Sequence, residues 1–161
     1  MQESYTEALR WLYGTQATGV KLGLENVRRL LDALGNPHRQ LVCIHVAGTN
    51  GKGSVSAMLD AVGRAAGLRT GLYTSPHLVR FNERIQVSGQ PITNEEMLAE
   101  LSVVREAIAR SGCIPTFFEI TTALGFLHFV KQRVGLAVME TGLGGRLDAT
   151  NLITPDRKSV V

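Results

Sequence analysis

The sequence predicts an α/β fold in which helices flank a parallel sheet, and three observations lead to it. Short apolar runs rich in β-branched residues ("LVCIHVA", "RTGLYTS", "VGLAVME") alternate with segments of helical length and spacing. The stretch "HVAGTNGKGSVSAML" places Gly48, Gly51, Gly53 and Lys52 directly between one such run and a helical one. Two T-x-x-E boxes, Thr93 to Glu96 and Thr116 to Glu119, stand where helices should open. A chain of 161 residues suits one compact domain with a sizeable core.

The elements follow in order. Residues 4–13 and 24–34 have the spacing of amphipathic helices, and the second stops at Gly35-Asn36-Pro37. Residues 41–47 are apolar without alternation, the pattern of a strand buried on both faces. After the glycine loop, "SVSAMLDAVGRAAG" predicts a helix over 54–67, closing on Gly67. "RTGLYTS" predicts a second strand and "RIQVSG" a third piece of β character. The T-x-x-E boxes open helices running to about Arg110 and about Lys131. "VGLAVME" is another buried strand, followed by the glycine-rich "TGLGGRLD". The chain stops at "KSVV", which opens a further apolar strand-like run, so the expectation is part of a larger protein.

Composition excludes several classes. A 44% hydrophobic content describes a globular chain, and no apolar run reaches the roughly 18 residues that a membrane span needs. The N-terminus carries Glu3 and Glu7 and lacks the basic and apolar regions of a signal peptide, so a cytoplasmic protein is expected, with no membrane partner. Net charge is +3 and scattered, which fits a pocket for small anions and argues against nucleic acid. Cys43, inside an apolar run, reads as a buried reduced thiol; Cys113 lies in a turn-like "SGCIP". Neither has an evident activating partner, and the four histidines lack metal-ligand spacing.

Glycines between a strand and a helix let the backbone approach an anion, and the helix N-terminus supplies N–H donors and a favourable dipole. In that setting Lys52 adds a point charge for the β- and γ-phosphates of a nucleotide, and Ser54 a hydroxyl. The loop is a variant: only Thr49 and Asn50 separate Gly48 from Gly51-Lys52, and Gly53 intervenes before Ser54. In a parallel sheet, ligands gather at the carboxyl ends of strands. Ser75 follows the second strand and Glu140 ends another, and both offer hard oxygen ligands suited to Mg²⁺. A turn serine before Pro76 and an ordinary strand-terminal acid are the alternatives at these two positions. In "TGLGGRLDATN", Gly142, Gly144 and Gly145 permit tight turns, and Asp148 reads equally as a ligand acceptor or a local cap. For "TFFE", the residues alone favour helix capping by Thr116 and Glu119, with Phe117 and Phe118 in the core.

The segments "HVAGTNGKGSVSAML", "YTSPHLVRFNERI", "TFFEITTALGFL" and "METGLGGRLDATN" resemble, in order and spacing, dihydrofolate synthase/folylpolyglutamate synthase of the Mur ligase superfamily. The resemblance runs from about Leu9 to Pro155. It implies the N-terminal part of a Mur-type ATP-binding domain over 1–161, with the rest of that domain and a C-terminal glutamate-ligase domain absent. It also implies an ATP- and Mg²⁺-dependent amide ligase that joins L-glutamate to dihydropteroate or to folates through an acyl phosphate, monomeric at full length. By resemblance, Thr49, Asn50, Gly51 and Lys52 hold the ATP phosphates, with Gly48, Gly53 and Ser54 completing the loop, and Lys52 and Glu140 are catalytic. Ser75 and Glu140 become Mg²⁺ ligands. Substrate contacts come from Gly19, Val20, Lys21 and Leu22, from Thr116, Phe117, Phe118 and Glu119, and from Leu147, Asp148 and Ala149. Phe118 then flanks the pterin ring and Asp148 bonds its edge, so capping and ligand contact coexist. A second metal-ligating histidine and a carbamylated lysine are expected beyond Val161, so 1–161 alone is expected to be inactive. Other Mur-type ligases, a P-loop kinase or GTPase, and a nucleotide-binding module without ligase activity are the competing readings.

Overall fold

In a computed structural model, the chain is described at residues 3–18, 23–142, 144, 146–153 and 157–160, the backbone alone serving for 17, 18 and 157–160. Its centre is a six-stranded sheet: β1 (Cys43–Ala47), β2 (Thr70–Tyr73), β3 (Ile85–Val87), β4 (Gln90–Pro91), β5 (Leu136–Glu140) and β6 (Arg157–Val160), in the order β4-β3-β2-β5-β1-β6. Strands β2, β5, β1 and β6 run parallel. The expectation of a wholly parallel sheet needs one correction, because β3 and β4 are antiparallel. Ser88 and Gly89 both take positive φ (50° and 79°), the conformation of a tight two-residue hairpin turn. So short a connection leaves no room for the crossover that a parallel neighbour requires. Lys158 to Val160 of the "KSVV" run lie in a strand, β6 beside β1, and Val161 lies outside the described residues.

Helices cover both faces unequally. One face carries α3 (Lys52–Ala65), whose Val55 and Leu59 pack on Val46, Leu72 and Val138. Gly63 makes this approach possible, since a Cβ there would meet Thr70 Cγ2 at 2.7 Å. Asp60 of α3 is buried but paired, accepting from Thr70 Oγ1 at 2.5 Å and Arg64 Nε at 2.9 Å. The opposite face holds the larger core, built from α1 (Tyr5–Gly14), α2 (Glu25–Ala33), α4 (Asn94–Ser111) and α5 (Phe117–Lys131). Phe126 and Phe129 of α5 are fully buried there, each contributing about 1.5–3 kcal/mol of hydrophobic stabilisation.

Local chemistry sets the helix ends. Thr93 and Glu96, and likewise Thr116 and Glu119, exchange side-chain and backbone hydrogen bonds as reciprocal caps. Ser4 and Glu7 form a third such box at the start of α1. α3 starts earlier than the expected residue 54: Gly51 takes the left-handed conformation (φ 76°) and its carbonyl accepts from Val55 N at 3.0 Å, so Lys52 and Gly53 form the first turn. Among the described residues no helix is long and apolar enough to cross a membrane.

Candidate functional site at the strand ends

The sheet order places β5 between β2 and β1, all parallel, with Val46 opposite Glu140 and Tyr73 opposite Met139. The loops after these strands therefore open along one edge. From β1 the chain passes through Gly48 (φ 152°) and exposed Thr49 and Asn50 into the N-terminus of α3, which no side chain caps. The first-turn N–H groups at Lys52, Gly53 and Ser54 have no carbonyl four residues back within the helix, and the helix dipole adds positive potential. Lys52 folds back over the loop, its Nζ donating to the Gly48 carbonyl at 3.0 Å. Ser54 is exposed.

Glu140 lies beneath that helix start. It is 4% exposed, and its Oε2 accepts from the backbone N–H of Ser75 at 3.0 Å. A Cβ on Gly53 would sit 3.8 and 3.9 Å from its two oxygens, so a glycine there brings the loop down onto the carboxylate. Burial raises the Glu140 pKa, against the opposing pull of the Ser75 N–H and the Lys52 charge. Oε1 accepts no hydrogen bond among the described residues. The two residues the sequence singles out as metal ligands are thus brought together, next to the glycine loop. Among the described residues no cluster of three His, Cys, Asp or Glu side chains could hold a metal. A carboxylate with an oxygen free of hydrogen bonds among the described residues, and a serine in the adjoining loop, are hard oxygen donors of the kind Mg²⁺ takes together with water and phosphate oxygens.

A second wall stands beside this pair. Phe118, half-buried, lies against Gly142, two residues past Glu140: a Cβ there would meet Phe118 Cζ at 2.5 Å. Asp148 reaches the same point, accepting from Gly142 N at 2.8 Å through Oδ2. Its Oδ1 accepts from Thr150 N (3.0 Å) and Thr150 Oγ1 (2.5 Å), and Thr150 Oγ1 is 2.8 Å from His45 Nε2. Asp148 is therefore the cap of a 3₁₀ turn over Ala149–Leu152 and ties the loop to β1, the local-cap alternative of its two readings.

The remaining expected substrate residues are distributed unevenly. Thr116 and Glu119 serve the α5 cap, with Glu119 buried. Phe117 turns into the core, stacked on Tyr13 with ring centroids 5.4 Å apart, whereas Phe118 faces Gly142. Leu147 is half exposed and Ala149 is buried. Gly144 takes φ 69°, a turn conformation. Gly19, Val20, Lys21, Leu22 and Gly145 lie outside the described residues. Sequence reading passed over Arg84, His77 and Tyr13, which the fold gathers behind the loop after β2: Arg84 Nε donates to His77 Nδ1 at 2.8 Å, and Tyr13 Oη is 3.4 Å from His77 Nε2. Only the run "YTSPHLVRFNERI", which carries His77 and Arg84 just past the second strand, hinted at two of them.

No protein-family model matches the chain. It is 42% identical over 160 residues to dihydrofolate synthase/folylpolyglutamate synthase of Bacillus subtilis, covering 96% of this chain and 37% of that protein. Among solved structures, E. coli FolC in complex with DHPP and ADP matches with a TM-score of 0.88 at 34% identity, over 98% of this chain and 39% of that one. The bifunctional folylpolyglutamate synthase/dihydrofolate synthase of Yersinia pestis, complexed with AMPPNP and a Mn ion, matches with a TM-score of 0.89 at 34% identity, over 98% of this chain and 38% of the other. The chain thus spans well under half the length of the proteins it matches. Across nearly its whole length, in sequence and backbone alike, it corresponds to the N-terminal portion of folylpolyglutamate/dihydrofolate synthases.

Proposed function

We propose that residues 1–161 form the N-terminal part of the ATP-binding domain of an ATP-dependent ligase that joins L-glutamate to dihydropteroate, to folates, or to both. The observation that carries this reading is the meeting of Glu140, Ser75 and the start of α3 at one edge of the sheet. Support comes also from similar proteins solved in complex with DHPP and ADP, and with AMPPNP and a Mn ion.

In this reading the N–H groups from Gly48 to Ser54 cradle the phosphates of ATP. Lys52 exchanges its Gly48 carbonyl partner for a phosphate oxygen, a short swing of a flexible side chain. Ser75 and the free oxygen of Glu140 hold Mg²⁺, which neutralises phosphate charge when bound. The substrate carboxylate attacks the γ-phosphorus as the bond to ADP breaks, giving an acyl phosphate. The amine of L-glutamate then attacks the carbonyl carbon, phosphate leaves with the electron pair of the C–O bond, and the nitrogen gives up one proton to the departing phosphate. The chain's own part is positioning and charge balance. The exposed side of Phe118 flanks the pterin ring, while Thr116, Glu119 and Asp148 shape its edge as they cap their own turns. Phe117 supports that wall from behind.

The test is a coupled ADP-release assay on the full-length protein. ADP release that needs dihydropteroate or tetrahydrofolate together with L-glutamate, ATP and Mg²⁺ is expected. Nucleotide binding with no glutamate-dependent turnover would instead favour a nucleotide-binding module. The 161-residue chain by itself is expected to show no turnover.

A further inference from the structure

Among the described residues Arg84 is a buried cation with no carboxylate at ion-pair distance. It ends the 3₁₀ turn Phe81–Arg84, and its carbonyl accepts from Thr74 N at 3.0 Å, which pins it beside the end of β2, next to Ser75. Only 7% of it is exposed, and it is the one buried arginine among the described residues. Its guanidinium carbon lies 5.3 Å from the centroid of the Phe117 ring, and Nε donates to His77 Nδ1. Among the described residues neither Nη makes a hydrogen bond, and no Asp or Glu reaches ion-pair distance. Arg64 pairs with Asp60 and Arg105 with Glu3, and both are more exposed.

Burying a charge is costly unless it is paired. The aromatic face and the imidazole offset only part of that cost, and the two Nη groups keep their donors uncommitted in a fork that matches a carboxylate. The fork is framed by the loop carrying Ser75 and by the first turn of α5, whose next residue, Phe118, borders the candidate site. We infer that Arg84 receives the carboxylate of the pteroyl or folyl substrate and holds it beside the phosphate loop. This rests on the ligase reading for the identity of the anion, while the fork itself does not.

Dihydropteroate and its neutral carboxamide share every ring and differ in one charge, so they separate anion reception from packing. Calorimetric titrations of the full-length protein, wild type against Arg84→Gln and Arg84→Lys, read both ligands, with melting temperatures measured alongside. Arg84→Gln should weaken dihydropteroate binding by about 30-fold or more, as loss of a desolvated charge partner does. The carboxamide should change by less than about twofold, and Arg84→Lys, which keeps the charge, should recover part of the loss. Equal weakening of both ligands, or of neither, overturns the inference and leaves Arg84 as a brace for Phe117 and His77. If Arg84→Gln does not fold, the Arg84→Lys variant reads the same ratio of the two ligands. Benzoate, titrated by NMR, separates the two proposals: Arg84-dependent benzoate binding without dihydropteroate binding keeps the anion site and discards the substrate.

Discussion

Replacing Gly142 by alanine tests the wall of the site directly. The added Cβ would lie 2.5 Å from Phe118 Cζ and 2.6 Å from Cε2, about 0.9 Å inside an ordinary close contact of 3.4 Å. Gly142 does not occupy the left-handed region, so the substitution carries no backbone penalty and the whole effect is the contact. Phe118 cannot retreat inward. The buried Tyr73 ring stands behind it at 6.2 Å in an edge contact, fixed by its hydroxyl against Thr121 and Thr122. The ring must swing out by about 1 Å, at the overpacking cost of about 1–3 kcal/mol. For a chain of this size that lowers Tm by roughly 2–10 °C. The movement is into the space assigned to the pterin, so dihydropteroate affinity should fall by about tenfold or more. Circular-dichroism melts and calorimetric titration read the two effects, and the Gly142→Ala/Phe118→Leu double variant should recover most of the stability. Gly14→Ala is the control: nothing lies within 4 Å of its added Cβ, and it should gain about 0.5–1 kcal/mol. A Gly142→Ala protein with wild-type Tm and wild-type affinity would refute the reasoning.

Three further outcomes are expected. Lys52→Ala should weaken ATP binding by about 2–5 kcal/mol, because a desolvated phosphate loses its cation, while the ligand-free Tm changes little since Lys52 gives up one hydrogen bond to Gly48; wild-type ATP affinity by titration would make the loop structural. His38 is buried against Phe126 with no hydrogen bond to Nδ1 among the described residues, and burial first, then the Arg39 charge, hold its pKa below the ordinary 6.5. The folded chain thus binds fewer protons there than the unfolded one: the contribution is whole above about 6.5 and is lost as pH falls through the folded value, so urea melts should show stability dropping with acid, and His38→Leu should flatten that slope. Burial pushes the Cys43 thiol up to about 12, so mass spectrometry after iodoacetamide at pH 8 should find it unmodified in the native chain and alkylated in urea; equal rates in both would show an accessible thiol.

Much of the fold was legible because it is written in contacts between near neighbours. The boxes at Thr93–Glu96 and Thr116–Glu119 join residues three apart, and each opens the helix it predicts. The continuous apolar runs become the strands β1, β2 and β5, since only a two-sided sheet buries such a pattern. The hairpin after Arg84 was half legible. Its β character showed in "RIQVSG", whereas its antiparallel direction depended on Ser88 taking a positive φ, which Ser-Gly permits and does not dictate. The cap that Asp148 forms on Thr150 is local, whereas its bond to Gly142 and the surroundings of Arg84 were not decided by adjacent residues. Asp148 also reached Gly142 once the loop closed, and Arg84 became buried under Phe117 with no carboxylate at ion-pair distance among the described residues.

The amino-acid order alone determined the strand–loop–helix unit around Lys52, the helix starts and the four segments shared with one ligase family, because such features arise from short-range geometry. Only the tertiary structure decided that β5 lies between β2 and β1. That order brings the Ser75 amide onto the Glu140 carboxylate, 65 positions away in the chain, at 3.0 Å, beneath the first turn of α3. Strand order is a competition among whole-sheet burials, and no local stretch of sequence records its outcome.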